Sequence, residues 1–119
     1  MNNSALIEVE KTTDLRDTID YEDLIAELRG SINKIDREII TLLSNRFRMI
    51  ERIGAIKSKV YLPIKDHARE SHVLDQASQW AVQCGLPAHV AVDITALIMQ
   101  NSVDIQIKNQ SNGDIAKAI

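Results

Sequence analysis

The chain is poor in the residues that staple, stack or interrupt a fold. Among its 119 residues there is one cysteine, Cys84. No intrachain disulfide framework exists, and a reducing compartment is expected. Aromatic residues make up 3% (Tyr21, Phe47, Tyr61 and Trp80), too few for a platform that stacks bases. The net charge of −3 argues against nucleic acid as a partner. No apolar run reaches the length of about 18 residues that a membrane span needs. The N-terminal stretch MNNSALIEVEKTTDLRDT has no basic n-region and no long apolar h-region, and it is acidic. Neither a secretory signal nor a transit peptide is therefore expected, and the cytoplasm is the expected location. There is no glycine-rich phosphate loop. His67 and His72 fall on different helix faces, Cys84 and His89 straddle a turn, and neither pair has a third ligand at metal spacing. No metal site is expected, and no Ser-His-Asp arrangement can be placed.

What is present reads as one domain. Hydrophobic residues are 45% and charged residues 26%, an ordinary balance for a globular chain rather than a disordered one. At this length about two thirds of the unfolded surface can be buried, so a core needs no staples. The charge is unevenly spread. Residues 1–23 hold seven acidic groups and two basic ones, whereas the other 96 residues hold ten acidic and twelve basic. The body is therefore mildly basic and the acidity sits in a leader. Residues 1–19 show no sustained periodicity and are expected to form a mobile arm.

From Tyr21 to Val60 there is no proline. Apolar residues recur at Ile25, Leu28, Ile32, Ile35, Ile39, Leu42, Met49, Ile53, Ile56 and Val60, alternating steps of three and four, which is a helix seam. Asp20 suits the N-cap, and Glu22 and Asp23 suit the first turn. Gly30 and Gly54 inside this helix suggest close approach of another backbone. Pro63 disfavours helix at Leu62 and ends the first segment. A second helix is expected from Asp66 to about Gln83, with Val73, Leu74, Ala77, Trp80 and Ala81 as its apolar stripe. Cys84-Gly85-Leu86-Pro87 is punctuation between helices. A third helix is expected from about Pro87 to Lys108, with Val90, Ile94, Leu97 and Ile98 in the core and Asn112-Gly113 closing it. The sequence predicts an all-α chain of three helices with a very long first one: an arm over 1–19, a helical domain over 20–110 and a frayed end over 111–119. A 40-residue helix is about 60 Å long, and a compact globule of this size is roughly 35 Å across. The seam of the first helix is therefore expected to need a second chain, giving an intertwined homodimer.

Several polar residues do not fit a plain coiled coil. Arg46 occupies a seam position between Leu42 and Met49, where a charge is costly unless paired. A snorkelled arginine or a register-setting salt bridge would explain it alone. Lys57, however, lies eleven residues on, close to three whole turns, and points the same way. The two Cα atoms are about 16 Å apart, leaving room for one small anion, and arginine suits a carboxylate. Arg29 precedes Arg46 by about 25 Å along the axis, so it can join the same site only from a partner chain. Asp66, Arg69 and Glu70 share one face of one turn; the bland reading is an N-cap plus a surface ion pair. Ser102 and Gln106 continue the line of Ile94 and Ile98, so an apolar face turns polar. Either the core ends there, or these groups meet a ligand.

The order Leu28-Arg29, Ile35-Asp36, Leu42-Leu43-Ser44-Asn45-Arg46, Gly54-Ala55-Ile56-Lys57, Pro63-Ile64-Lys65-Asp66 with Arg69-Glu70, and Ser102-Val103 with Gln106 resembles the all-helical (AroQ-class) chorismate mutases. The resemblance covers about residues 22–110; single motifs within it are weak, but eight polar positions in register are specific. It implies the chorismate mutase type II fold: a homodimer of three-helix chains with exchanged long helices and two equivalent sites. It implies chorismate as substrate and no cofactor. On this resemblance Arg29 from the partner and Arg46 would hold the two carboxylates, and Lys57 and Gln106 would flank the ether oxygen. Glu70 would bind the ring hydroxyl with Asp66 and Arg69 beside it, and Ser102 would help hold a carboxylate. Isochorismate pyruvate lyases resemble the mutases in fold and basic residues, but Glu70 together with Ser102 favours the mutase. A mutase acting on an amino analogue (aminodeoxychorismate) and a non-catalytic helical dimerisation module are the other readings. The module would have little reason to keep Arg46 and Lys57 in a seam.

Overall fold

A computed structural model describes the backbone of residues 20–118 and the side chains of residues 20–110. The expected arm over 1–19 lies outside the described residues. Three helices follow one another: α1 (Tyr21–Val60), α2 (His67–Cys84) and α3 (Ala88–Ala118). No strand occurs among the described residues. None of the described helices is long and apolar enough to cross a membrane.

The chain divides into two units, one up to Thr41 and one from Leu42. The described part of the first unit is a single length of helix. Its start is capped as its sequence requires: Asp20 Oδ1 accepts from the backbone N–H of Glu22 at 2.9 Å and of Asp23 at 3.4 Å. The acids Glu22 and Asp23 sit in the first turn, where the helix dipole favours negative charge. The apolar seam of this unit is bare. Leu28 is 64% exposed, and Ile25, Ile32, Ile35 and Ile39 are each about half exposed.

The second unit holds the rest of α1, then α2 and α3. At the end of α1 the N–H of Leu62 returns to the carbonyl of Lys57 at 2.9 Å. This Schellman closure places Tyr61 in the left-handed region, with φ 57°. Glycine usually occupies that position, because a Cβ there is strained. Tyr61 is 90% exposed, so its ring contributes little packing in return. Tyr61→Gly is expected to stabilise the protein by roughly 0.5–1 kcal/mol, the relief of left-handed strain less the extra entropy glycine gives the unfolded chain. Denaturant unfolding at fixed protein concentration measures it, and an unchanged or lowered midpoint would contradict the strain.

Helix α2 is capped at both ends. Asp66 Oδ1 accepts from the N–H of Arg69 at 3.0 Å. Gly85 closes the other end at φ 75°, donating to the carbonyls of Ala81 and Val82. Pro87 has no N–H to lose and precedes α3, its carbonyl accepting from Val90 at 3.1 Å. Helix α3 continues past Asn112-Gly113 to Ala118, beyond the end near Lys108 that the sequence predicts. Asn and Gly weaken a helix but do not block it as proline does, and no proline follows them.

Helices α2 and α3 pack on each other. Ala77 and Ala81 of α2 are buried, their small side chains permitting close approach. The expected core is only partly realised. Val73, Leu74, Val90 and Ile98 are half-buried, but Trp80, Ile94 and Leu97 are 56%, 54% and 65% exposed. The apolar residues of α2 and α3 extend beyond the faces that the neighbouring helices cover. Among the described residues no large side chain is fully buried.

Candidate active site

The last four turns of α1 carry Arg46, Ile50, Ile53 and Lys57 at steps of four, three and four, one continuous stripe. This stripe forms one wall of a cavity of about 300 Å³. Ile64 and Asp66 from the connecting loop, Arg69, Glu70 and Val73 from the start of α2, and Met99, Ser102, Val103 and Gln106 from α3 complete it. Seven of the eight polar residues singled out in the sequence therefore line one space: Arg46, Lys57, Asp66, Arg69, Glu70, Ser102 and Gln106. Arg29 is not among the residues lining it.

Arg46 is half-buried. Its Nη1 donates to Ser102 Oγ at 2.7 Å, and among the described residues no carboxylate forms a salt bridge with it. Burial pushes the Arg46 pKa down, and the like charge of Arg69 pushes it the same way. Both causes disfavour the cation, and an anion in the cavity would relieve both. Arginine nevertheless remains protonated at working pH. The cavity thus presents positive charge that this chain leaves unneutralised.

Ser102 is buried and already committed. It accepts from Arg46 and donates its own proton to the carbonyl of Ile98 at 2.8 Å. In this arrangement its hydroxyl orients the guanidinium rather than offering a proton to a ligand. Lys57 is held similarly, its Nζ donating to the carbonyl of Ile64 at 2.7 Å. Two of the ammonium's three protons remain for other acceptors.

Gln106 is 6% exposed. Its Nε2 donates to the Ser102 carbonyl at 3.3 Å, while its buried Oε1 has no hydrogen-bond partner. A buried acceptor left unpaired costs about 1–3 kcal/mol, so this end of the cavity is incomplete in the chain alone. Glu70 faces His67, 3.8 Å from its Nδ1, rather than Arg69. Asp66 serves as the cap of α2 and also lines the cavity.

Sequence reasoning did not anticipate Ile50, Ile64, Met99 and Val103 in the lining. Ile50 was detectable, because it fills the step between Arg46 and Lys57 on their own stripe. The Ile64 carbonyl was not, because every residue carries one. Among the described residues, no group of His, Cys, Asp and Glu gathers in a way that could hold a metal ion.

Taken together, these groups define a small, largely apolar cavity between helices, with cations on one side and carboxylates at the start of α2. It suits a compact anion that also carries a hydroxyl or an ether. The chain belongs to the chorismate mutase type II family, whose model matches residues 28–107. It is 23% identical over 82 residues to the chorismate mutase of Methanocaldococcus jannaschii, a match covering 69% of this chain and 83% of that protein. It is 44% identical over 52 residues to the bifunctional chorismate mutase/prephenate dehydratase of Aquifex aeolicus, covering 44% of this chain. The match spans only 14% of the length of that bifunctional relative. Among solved structures, a conserved hypothetical protein from Pyrococcus furiosus superposes with a TM-score of 0.58 at 35% identity, covering 70% of this chain and 95% of that one. The three-helix architecture is that of the chorismate mutase type II fold.

Proposed function

We propose that this protein is a chorismate mutase, converting chorismate to prephenate. The observation that carries the proposal is the convergence of Arg46, Lys57 and Gln106 on one cavity in a member of this family. In the reaction the ether C–O bond breaks as a C–C bond forms, and no atom is gained or lost. It requires no nucleophile. The protein holds the flexible dianion in its folded, reactive conformer and stabilises the charge that builds on the ether oxygen. Arg46, steered by Ser102, binds one carboxylate. Lys57 and Gln106 donate to the ether oxygen. Glu70 accepts from the ring hydroxyl, and Asp66 and Arg69 border it. Ile50, Ile53, Val73 and Val103 exclude water, which strengthens each of these interactions. A millionfold acceleration needs about 8 kcal/mol, within reach of several such donors acting together.

The working unit in this proposal is a homodimer, with Arg29 of one chain binding the second carboxylate in its partner's site. Support comes from the bare seam of α1, from the exposed Trp80, Ile94 and Leu97, and from the lack of any fully buried large side chain among the described residues. The repulsion between Arg46 and Arg69 agrees with a site that an anionic ligand completes, and the second proton on Gln106 Nε2 remains for an acceptor on that ligand. A cytoplasmic location belongs to the same proposal.

Complementation tests both parts. Arg29→Ala and Arg46→Ala are each expected to abolish most turnover. Refolded together in equal amounts, half of the dimers are mixed and each mixed dimer holds one intact site, so activity should recover to about a quarter of wild type. No recovery, with wild-type protein active, would contradict Arg29 acting in trans. No prephenate from wild-type protein would contradict the activity itself.

A further inference from the structure

Gly54 is the buried residue of α1. Its backbone gives no reason for glycine: the glycine with positive φ among the described residues is Gly85. Within a helix, alanine is the better helix former. What Gly54 supplies is space. A Cβ placed there would lie 3.2 Å from Gln106 Cγ and 3.6 Å from Gln106 Cα and Cβ. The first distance is shorter than the ~3.5–4.0 Å of comfortable carbon–carbon contact. The atom in the way has little freedom to yield. It is two bonds from the α3 backbone, the side chain is buried, and its Nε2 is tied to the Ser102 carbonyl. Gly30, the other glycine of α1, has nothing within 4 Å of the corresponding point.

We propose that Gly54 is a positioning residue, whose missing side chain seats Gln106 so that its amide and the Lys57 ammonium, three residues beyond Gly54 on α1, meet the same substrate atom. This rests on the function proposed above and adds a requirement to it: the helix crossing is part of the catalytic geometry. Gln106 displaced by a few tenths of an ångström would lose alignment with the ether oxygen, while Arg46, eight residues before Gly54, would still hold a carboxylate. The loss therefore falls on turnover rather than on substrate binding.

The test is a double-mutant cycle of wild type, Gly54→Ala, Gln106→Ala and the double variant, read by kcat, KM and thermal midpoint. Gly54→Ala is expected to lower kcat roughly five- to tenfold with KM changed less than about twofold. Its midpoint should fall in the wild-type background and rise in the Gln106→Ala background, where Cγ is gone and alanine only favours the helix. In that background its effect on kcat should vanish. A wild-type kcat in Gly54→Ala, a loss confined to KM, or an equal fall in midpoint in both backgrounds would overturn the proposal. Should Gly54→Ala fail to fold, the double variant must fold; failure of both would overturn it as well. The melting half of the cycle reports the contact independently of turnover. Wild-type protein that makes no prephenate yet shows the reversal in midpoint would refute the functional reading and keep the Gly54–Gln106 contact.

Discussion

Arg46→Ala should lower kcat/KM for chorismate at least a hundredfold and leave the protein folded. The two halves of this expectation have one origin. Arg46 stands at a seam position where an apolar side chain would pack better, half-buried and, among the described residues, bonded only to the neutral hydroxyl of Ser102. Burial and the nearby charge of Arg69 both disfavour its cation. Removing it relieves desolvation and repulsion in the folded state, so the thermal midpoint should hold or rise. The hydrogen bond to Ser102 offsets part of that cost, and an anion bound at the guanidinium would offset the rest. Losing a preorganised charged donor typically costs about 3–4 kcal/mol of transition-state stabilisation, and a hundredfold corresponds to about 2.7 kcal/mol. Steady-state kinetics with a parallel melting curve reads both halves. Near-normal turnover would remove Arg46 from the site. A collapsed midpoint would make its role structural.

Gln106→Glu should turn a pH profile that is fairly flat near neutrality into one that rises toward low pH. Glutamine does not ionise, and as a donor it serves alike at every pH near neutrality. A glutamic acid in its place can donate to the ether oxygen only while protonated. Ionised, it would repel the developing charge on that oxygen and pair with Lys57, disabling two donors together. The protonated fraction grows as pH falls, so the variant should be nearly inactive at pH 7 and gain activity on acidification. An unperturbed glutamic acid has a pKa near 4.3, the burial of this position raises it, and the cations Arg46 and Lys57 lower it. These shifts oppose each other, and wherever the pKa falls each unit of acidification above it is worth up to about tenfold until the acid is protonated. A rate profile from pH 4 to 8, beside wild type, makes the measurement. An unchanged profile would mean that Gln106 does not touch the reacting oxygen.

Much of the local structure was legible in the sequence because its signals are chemical and local. Asp20 and Asp66 cap helices because a short carboxylate reaches the first free N–H groups. Gly85 tolerates the left-handed turn that ends α2. Arg46 stood out because a cation in an apolar seam contradicts the pattern around it, and Lys57 because three turns of helix return it to the same face. Gly54 was marked as a point of close approach, and Gln106 meets it there. The same expectation at Gly30 finds no neighbour among the described residues. Other features had no local signal. The carbonyl of Ile64 holds Lys57 through backbone geometry that any residue could provide. Ser102 spends its proton on Ile98, a choice set by the preceding turn of α3. Trp80, Ile94 and Leu97 read as core because periodicity reports which residues are apolar, not which neighbour covers them. Tyr61 holds a conformation that its residue type disfavours, imposed by the closure of α1 at Leu62.

The most direct measurement is the incubation of purified protein with chorismate and, separately, with isochorismate, the products being separated by chromatography and identified by mass. Prephenate formed from chorismate far above the uncatalysed rate, with no dependence on added metal or cofactor, is the predicted result. Salicylate and pyruvate from isochorismate without prephenate, or no product from either compound, would contradict the account.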